Sequence, residues 1–415
     1  MILQRNGTDN LKRNGTPGLN ALAAISRRPL FWATGAAVLA FAVYHLSFPG
    51  PTPFDHYVRL ADSFLHGRVD FIDPPRHLEV TAFRGRSYMM PPPFPAILMV
   101  PYVALAGAAA DQSLVSHVVG ALAAACLLLL GARLMPRRRD ALWLGALAAF
   151  GTILWYISAV GSSWFLAHAV VTAVLTLGVL ETLGRGRPAL IGLAVAAAYW
   201  TRFPTILTLA FFVPATARYW APGGLRQWRR IDLAYLIWMG APIAAAITLN
   251  GLYNWMRFGT IADVAAAVRP GIFEEGWFGR GLFHWSYIPR HLSILFAKLP
   301  VVIDHPPYVL VPLTGLAIWL TTPVFVYALR ARLGAESLAA WAGVAAVAAV
   351  DFSFGNPGVL QFGYRFATDV YPLLFLLMAR GMRGGVSLPA KALIVVGVAV
   401  NLWGILWTRW GWVGM

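Results

Sequence analysis

Residues 30–68 read LFWATGAAVLAFAVYHLSFPGPTPFDHYVRLADSFLHGR, and this stretch decides the fold. Residues 30–48 contain no Asp, Glu, Lys or Arg and are long enough to cross a hydrocarbon core of ~30 Å. Pro49, Gly50, Pro51 and Pro53 then break the run. Beyond them Tyr57, Leu60, Ala61 and Phe64 recur at i, i+3, i+4, i+7, which predicts one apolar face of a helix lying at the interface. Arg59, Asp62, Ser63 and His66 fall on the other face, and Gly67 ends the helix. A span therefore exits into a helix crowded with ionisable groups.

The same apolar habit continues along the chain. It has 415 residues, 59% hydrophobic and only 12% charged, with a mean hydropathy of +0.64. A soluble protein of this length needs far more polar surface. Long apolar runs, rather than short alternating strands, exclude an outer-membrane barrel. The fold class is all-α: a polytopic transmembrane helical bundle. The net charge of +16 would suggest nucleic acid in a soluble protein. Here the basic loops PRRRD (136–140), GRGRP (184–188), GGLRQWRR (223–230), LRARL (329–333) and ARGMRGG (379–385) follow the positive-inside rule, so no nucleic-acid partner is invoked. The single cysteine, Cys126, lies in an apolar run; it reads as a packing residue.

Arg5, Lys12, Arg13, Arg27 and Arg28 precede the first span, which reads as an uncleaved start-transfer helix with a cytoplasmic N-terminus. The NGT sequons at 6–8 and 14–16 fall on that side and are discounted. Parity between basic loops predicts spans at 30–49, 113–134, 141–160, 163–183, 232–250, 308–328, 336–351, 366–381 and 391–408, with two short pieces, 189–200 and 204–218, around TRFP (201–204). Segment 92–109 is Pro-broken and reads as re-entrant. The expectation is about 11 crossings plus that re-entrant piece. The domains are a cytoplasmic tail (1–29), a transmembrane domain (30–408) and a C-terminal tail (409–415). The outer loops are 50–91, 251–306 and 352–365. They hold most of the carboxylates and histidines, together with Arg residues that the positive-inside rule would place elsewhere. That asymmetry points to chemistry at the outer surface, on something anionic.

The chain resembles integral-membrane glycosyltransferases of the GT-C type, of the polyprenyl-phosphate-sugar-dependent, family-39 mannosyltransferase-like kind. The resemblance is carried by FDHYVRLADSFLHGR (54–68), SYMMPPPFPAILMVPYVAL (87–105), AVAAAYWTRFPTILTLAFF (194–212), NGLYNWMRFGT (250–260) and QFGYRFATDVYPLL (361–374). It spans about residues 30–380. Asp-His stands here where the family has Asp-Glu or Asp-x-Asp.

The resemblance implies transfer of a sugar from a polyprenyl-phosphate carrier to a hydroxyl, with inversion. Such chemistry needs an outer carboxylate as base and Arg for the leaving phosphate. Asp55 is the expected base, its competing role being an N-cap; His56 assists it or is merely solvated. Arg202, Arg365, Tyr364 and Gln361 are the expected donor-phosphate residues. For Arg202 the competing role is snorkelling, and for Arg365 it is an i,i+4 pair with Asp369. Asp70, Asp73, His168, Trp164, Arg290 and Asp369 are candidates for the substrate cavity. Asp304, His305, His284 and His291 match no metal-ligand spacing, so neither metal nor cofactor is expected. The expected partners are membrane lipid, a polyprenyl-phosphate-linked sugar, and a glycan, lipid or protein acceptor. The composition suggests a bacterial plasma membrane with the site facing the exterior. A flippase for an amphipathic lipid, or an inactive assembly subunit with the same fold, are the alternatives.

Overall fold

The computed structural model describes residues 29–224 and 231–411. The N-terminal basic residues, both NGT sequons, most of GGLRQWRR and the last four residues lie outside the described residues. Helix α1 (Pro29–Ser47) is followed by α2 (His56–Leu65), the hairpin β1 (Thr81–Phe83) and β2 (Arg86–Tyr88), and α3 (Phe94–Ala106). Next come α4 (Gln112–Leu134), α5 (Arg138–Phe150), α6 (Leu154–Val160), α7 (Ser163–Leu183) and α8 (Pro188–Tyr199). A 3-10 stretch at Phe203–Thr208 leads into α9 (Leu209–Ala215), followed by α10 (Leu233–Phe258) and α11 (Ile288–Ala297). A short hairpin, β3 (Val301–Val302) with β4 (Val309–Leu310), precedes α12 (Ala335–Ser353), α13 (Tyr371–Gly381) and α14 (Leu388–Arg409).

Six of these helices, α1, α4, α7, α10, α12 and α14, are long and apolar enough to span a bilayer, and a seventh span is formed if α5 and α6, bent by 45°, count as one. The protein is a multi-pass membrane protein. It has fewer uninterrupted spans than the eleven expected from sequence. Helices α3 and α8 and the 203–215 piece are apolar but short. Segment 308–328 is not one continuous helix: it starts as strand β4, passes through a single helical turn at Ile318–Thr321 and ends in a 3-10 stretch, Pro323–Arg330. Pro312 and Gly315 (φ +87°) interrupt it. Segment 366–381 likewise splits into a 3-10 turn and α13.

Helix α4 packs against α1, α5 and α7, and α8 lies along α10. Gly192 permits that last approach: a Cβ there would stand 2.1 Å from the Met239 carbonyl oxygen. The loops sort to two ends. At one end Thr81 donates to the Ala265 carbonyl, Arg269 pairs with Glu79 and Glu275, and the His284 and Gly355 amides join loop 251–306 to loop 352–365. At the other end Glu336 pairs with Arg380 and Arg218, and Arg218 reaches the Thr182 carbonyl. The three loops rich in carboxylates thus form one assembly, and Arg218 and Arg380 lie apart from it.

The interfacial helix forms where the pattern predicts. Tyr57, Leu60 and Ala61 are fully buried against Met89, Ala96, Met99, Val103, Leu166 and Val170. Burial of a side chain such as Leu60 contributes about 1.5–3 kcal/mol. Ser63, expected on the polar face, is also buried and donates to the Arg59 carbonyl. Gly67 (φ +68°) ends the segment.

Candidate functional site

Helix α2 is fixed at its first turn by polar groups from two other helices. Helix α6 stops at Gly161 (φ +65°), so that Ser163 opens α7 at the tip of the hairpin. Ser163 Oγ donates to the Phe54 carbonyl (2.7 Å) and meets both the His56 amide and His56 Nδ1 at 3.0 Å. Gln112, the first residue of α4, donates to the carbonyls of Phe54 and Gly161 and accepts from the Tyr57 amide, each at 3.0 Å. His56 Nε2 meets the Glu79 carbonyl at 3.0 Å. His56 is therefore buried, not solvated as one sequence reading had it, and burial lowers its pKa to about 4. Asp55 stands at the N-cap position but its side chain makes no cap bond; it accepts from Arg59 Nε at 2.7 Å. The cap role weighed for Asp55 is not the one it plays. Trp164 lies edge-on to His56 (ring centroids 5.4 Å), and with Glu79, Met90 and Pro91 they line a crevice beside Asp55.

A second group of charges lies inside the bundle. TRFP breaks the chain between α8 and the 203–215 piece, and Arg202 projects there with its side chain 20% exposed. Its Nε donates to Asp369 Oδ2 at 2.5 Å and its Nη2 to Asp351 Oδ1 at 3.3 Å. Asp369 Oδ1 meets His168 Nδ1 at 2.7 Å, and both side chains are fully buried. Asp369 thus pairs with Arg202 and His168, not with Arg365 one turn away. Arg202 is turned to these two carboxylates, the partners that a cation in apolar surroundings requires.

Among the described residues Arg365 meets no carboxylate. Its Nη1 reaches only Gln361 Oε1 (3.1 Å) and the Val359 carbonyl (3.4 Å), and its Nε is buried without a partner. Both guanidinium groups stack on Phe366, Arg202 at 5.1 Å and Arg365 at 5.2 Å. His168 Nε2 and the Tyr57 hydroxyl are also buried and unpaired. Tyr57 packs in one cluster with Leu166, Ala167 and Val170 of α7, the helix that carries His168, which links α2 to the charged centre.

The remaining candidates divide. Tyr364 bonds His291 Nδ1 through its hydroxyl (2.6 Å), and burial lowers the His291 pKa to about 4. Gln361 Nε2 donates to the Thr314 carbonyl at 2.8 Å. Arg290 lies between the Trp277 and Tyr287 rings and donates to the Gly355 carbonyl at 2.9 Å. Asp70 is a closed structural pair: Arg68 donates to it at 2.5 Å and holds its carboxyl below the ordinary value. Asp73 is exposed, with φ +47°. Among the described residues no cluster of three or more His, Cys, Asp or Glu is placed to hold a metal.

Sequence reasoning missed Asp351, Gln112 and Ser163. Asp351 is a lone carboxylate at the end of an apolar run, which is itself a signal of function. Gln112 and Ser163 give no pattern, because each acts through a tertiary contact across the bundle.

No protein-family model and no curated protein sequence matches the chain. Among the solved structures that do are ArnT from Cupriavidus metallidurans bound to undecaprenyl phosphate, and the same protein in the apo state. The first aligns with TM-score 0.54 and 17% identity over 89% of this chain, the second with 0.50 and 17% over 85%. The chain spans 63% and 60% of those chains. It has the fold of the GT-C type membrane glycosyltransferases.

Proposed function

We propose that the protein transfers a sugar from a polyprenyl-phosphate carrier to an acceptor hydroxyl at the end of the bundle that carries the acidic loops. In a bacterial plasma membrane this end faces the exterior. The carrying observation is the buried charged centre beneath α2, in which Arg365 has, among the described residues, no carboxylate partner and an unpaired Nε. An uncompensated guanidinium at that depth is a receptor for an anion. Arg202 supplies a second cation, held in place by Asp369 and Asp351. The GT-C fold supports the reading, and the ArnT structure holding undecaprenyl phosphate supports this class of donor.

In the proposed step the acceptor oxygen attacks the anomeric carbon while the bond from that carbon to the phosphate oxygen breaks. The acceptor proton passes to Asp55, which Arg59 orients. The polyprenyl phosphate leaves with the bonding electron pair, neutralised by Arg365 and Arg202, and the configuration inverts. This chemistry calls for no metal.

The test uses the full chain in nanodiscs with undecaprenyl-phosphate sugars and envelope glycan from a deletion strain. Asp55→Asn is expected to lower transfer by about 10²–10⁴-fold, the usual contribution of a general base. Arg365→Ala is expected to weaken binding of undecaprenyl phosphate. Transfer unchanged in Asp55→Asn removes the base assignment, and unchanged lipid binding in Arg365→Ala removes the anion site.

A further inference from the structure

Helix α10 has 26 residues, about 39 Å of helix, which exceeds a hydrocarbon core of ~30 Å. Its last two turns therefore rise into the acidic-loop end, where Arg257 Nη1 donates to the Met89 carbonyl at 2.6 Å. Asn250, Tyr253, Asn254 and Arg257 share one face at i, i+3, i+4, i+7, and each is more than nine-tenths buried. Asn254 is engaged by Arg257. The Tyr253 hydroxyl, Arg257 Nε and Asn250 Oδ1 have no partner among the described residues. The Arg257 guanidinium lies 4.0 Å over the Tyr253 ring, and the Tyr199 phenol lies against Asn250. The indole N–H of Trp200, next along the chain, is buried and unpaired too. Phe64, two turns along α2 from Tyr57, packs edge-on against Tyr253 (ring centroids 6.3 Å), and the Tyr57 hydroxyl is unpaired among the described residues.

Each buried polar group left unpaired costs about 1–3 kcal/mol. Several around one region form a coherent set, and the chemistry of the set identifies what would satisfy it. Apart from Arg257, whose Nη groups are already engaged, the members are neutral: two phenols, an indole N–H and an amide oxygen. A phosphate would use only the donors. A group bearing several hydroxyls uses both donors and acceptor, because each hydroxyl gives and takes. We propose that Tyr57, Trp200, Asn250, Tyr253 and Arg257 form the subsite for the sugar hydroxyls of the donor. The inference rests on the proposed transferase reading. Trp200 stands two residues before Arg202 in the chain, which places this subsite next to the charged centre, as a sugar carried on a phosphate requires.

The experiment measures binding of two probes to the full chain in nanodiscs: undecaprenyl phosphate, and undecaprenyl-phosphate glucose, mannose and arabinose in turn. The wild type is expected to hold at least one sugar-bearing lipid about tenfold more tightly than the bare phosphate. Tyr253→Phe is expected to remove most of that preference and leave affinity for the bare phosphate within about twofold. Its thermal midpoint is expected to stay level or rise, because the lost hydroxyl has no internal partner. Asn250→Leu, which removes the acceptor, is the second variant and should act in the same direction. If both variants keep the wild-type preference, the subsite is wrong while the transferase reading stands. If the wild type binds no probe, both fall.

Discussion

The turn that anchors α2 and the charged centre beneath it lie close together and treat polar groups in opposite ways. In the anchor, every side-chain nitrogen and oxygen of His56, Ser163 and Gln112 has a partner. In the centre, His168 Nε2, Arg365 Nε and the nearby Tyr57 hydroxyl have none among the described residues. A fully bonded network fixes one geometry and has no capacity left for a ligand. A partly bonded one is destabilising until something completes it. Under the proposed function, the anchor holds Asp55 still and the centre receives charge.

That contrast can be broken in three places. The largest effect is expected at Asp369, which joins Arg202 to His168. Asp369→Asn removes the charge that compensates a buried guanidinium and should cost about 3–5 kcal/mol. A thermal midpoint in detergent equal to that of the wild type would mean that the centre is not an electrostatic unit. The next is pH. The His56 pKa is about 4 in the fold against 6.5 ordinarily, so the fold holds it neutral. Its contribution is complete above pH 6.5 and is lost as the pH falls towards 4, by up to about 3 kcal/mol. Amide exchange in α2 should accelerate over that interval while α4 and α7 stay protected, and His56→Gln should flatten the dependence. The smallest is Gln112→Ala, which removes bonds to Phe54, Gly161 and Tyr57. It should destabilise by about 1–3 kcal/mol and lower transfer without changing affinity for undecaprenyl phosphate. A matching loss of lipid affinity would mean that the anchor and the centre are one site.

Much of the molecule was legible from period and polarity. Span α7 was placed at 163–183 because a long apolar run there leads to the basic loop at 184–188, and α2 because its apolar face repeats at helical spacing. Segment 308–328 misled because an apolar run alone does not distinguish a helix from buried irregular chain, and the interruptions at Pro312 and Gly315 carried the distinction. Within the site, Arg202 and Arg365 were recognisable as cations in apolar surroundings. Their partners were not. The helical offset of four favoured Arg365 with Asp369, but Asp369 turns instead towards a helix two hundred residues earlier in sequence, at His168 (|i−j| = 201). A local rule gives way wherever a buried cation across the bundle offers the same carboxylate a closer contact.

Helices α3 and α8 have 13 and 12 residues, so each presents lipid with an apolar wall only about 18–20 Å tall. Both face outward in part, through Leu98 and Leu105 on α3 and Leu190 and Leu193 on α8. Acyl chains resting against so short a wall must bend or shorten, which draws the headgroup plane down towards the bilayer middle. A carrier diffusing in that leaflet would ride the dimple inward and bring its anionic head level with the interior arginines, its tail never leaving the hydrocarbon.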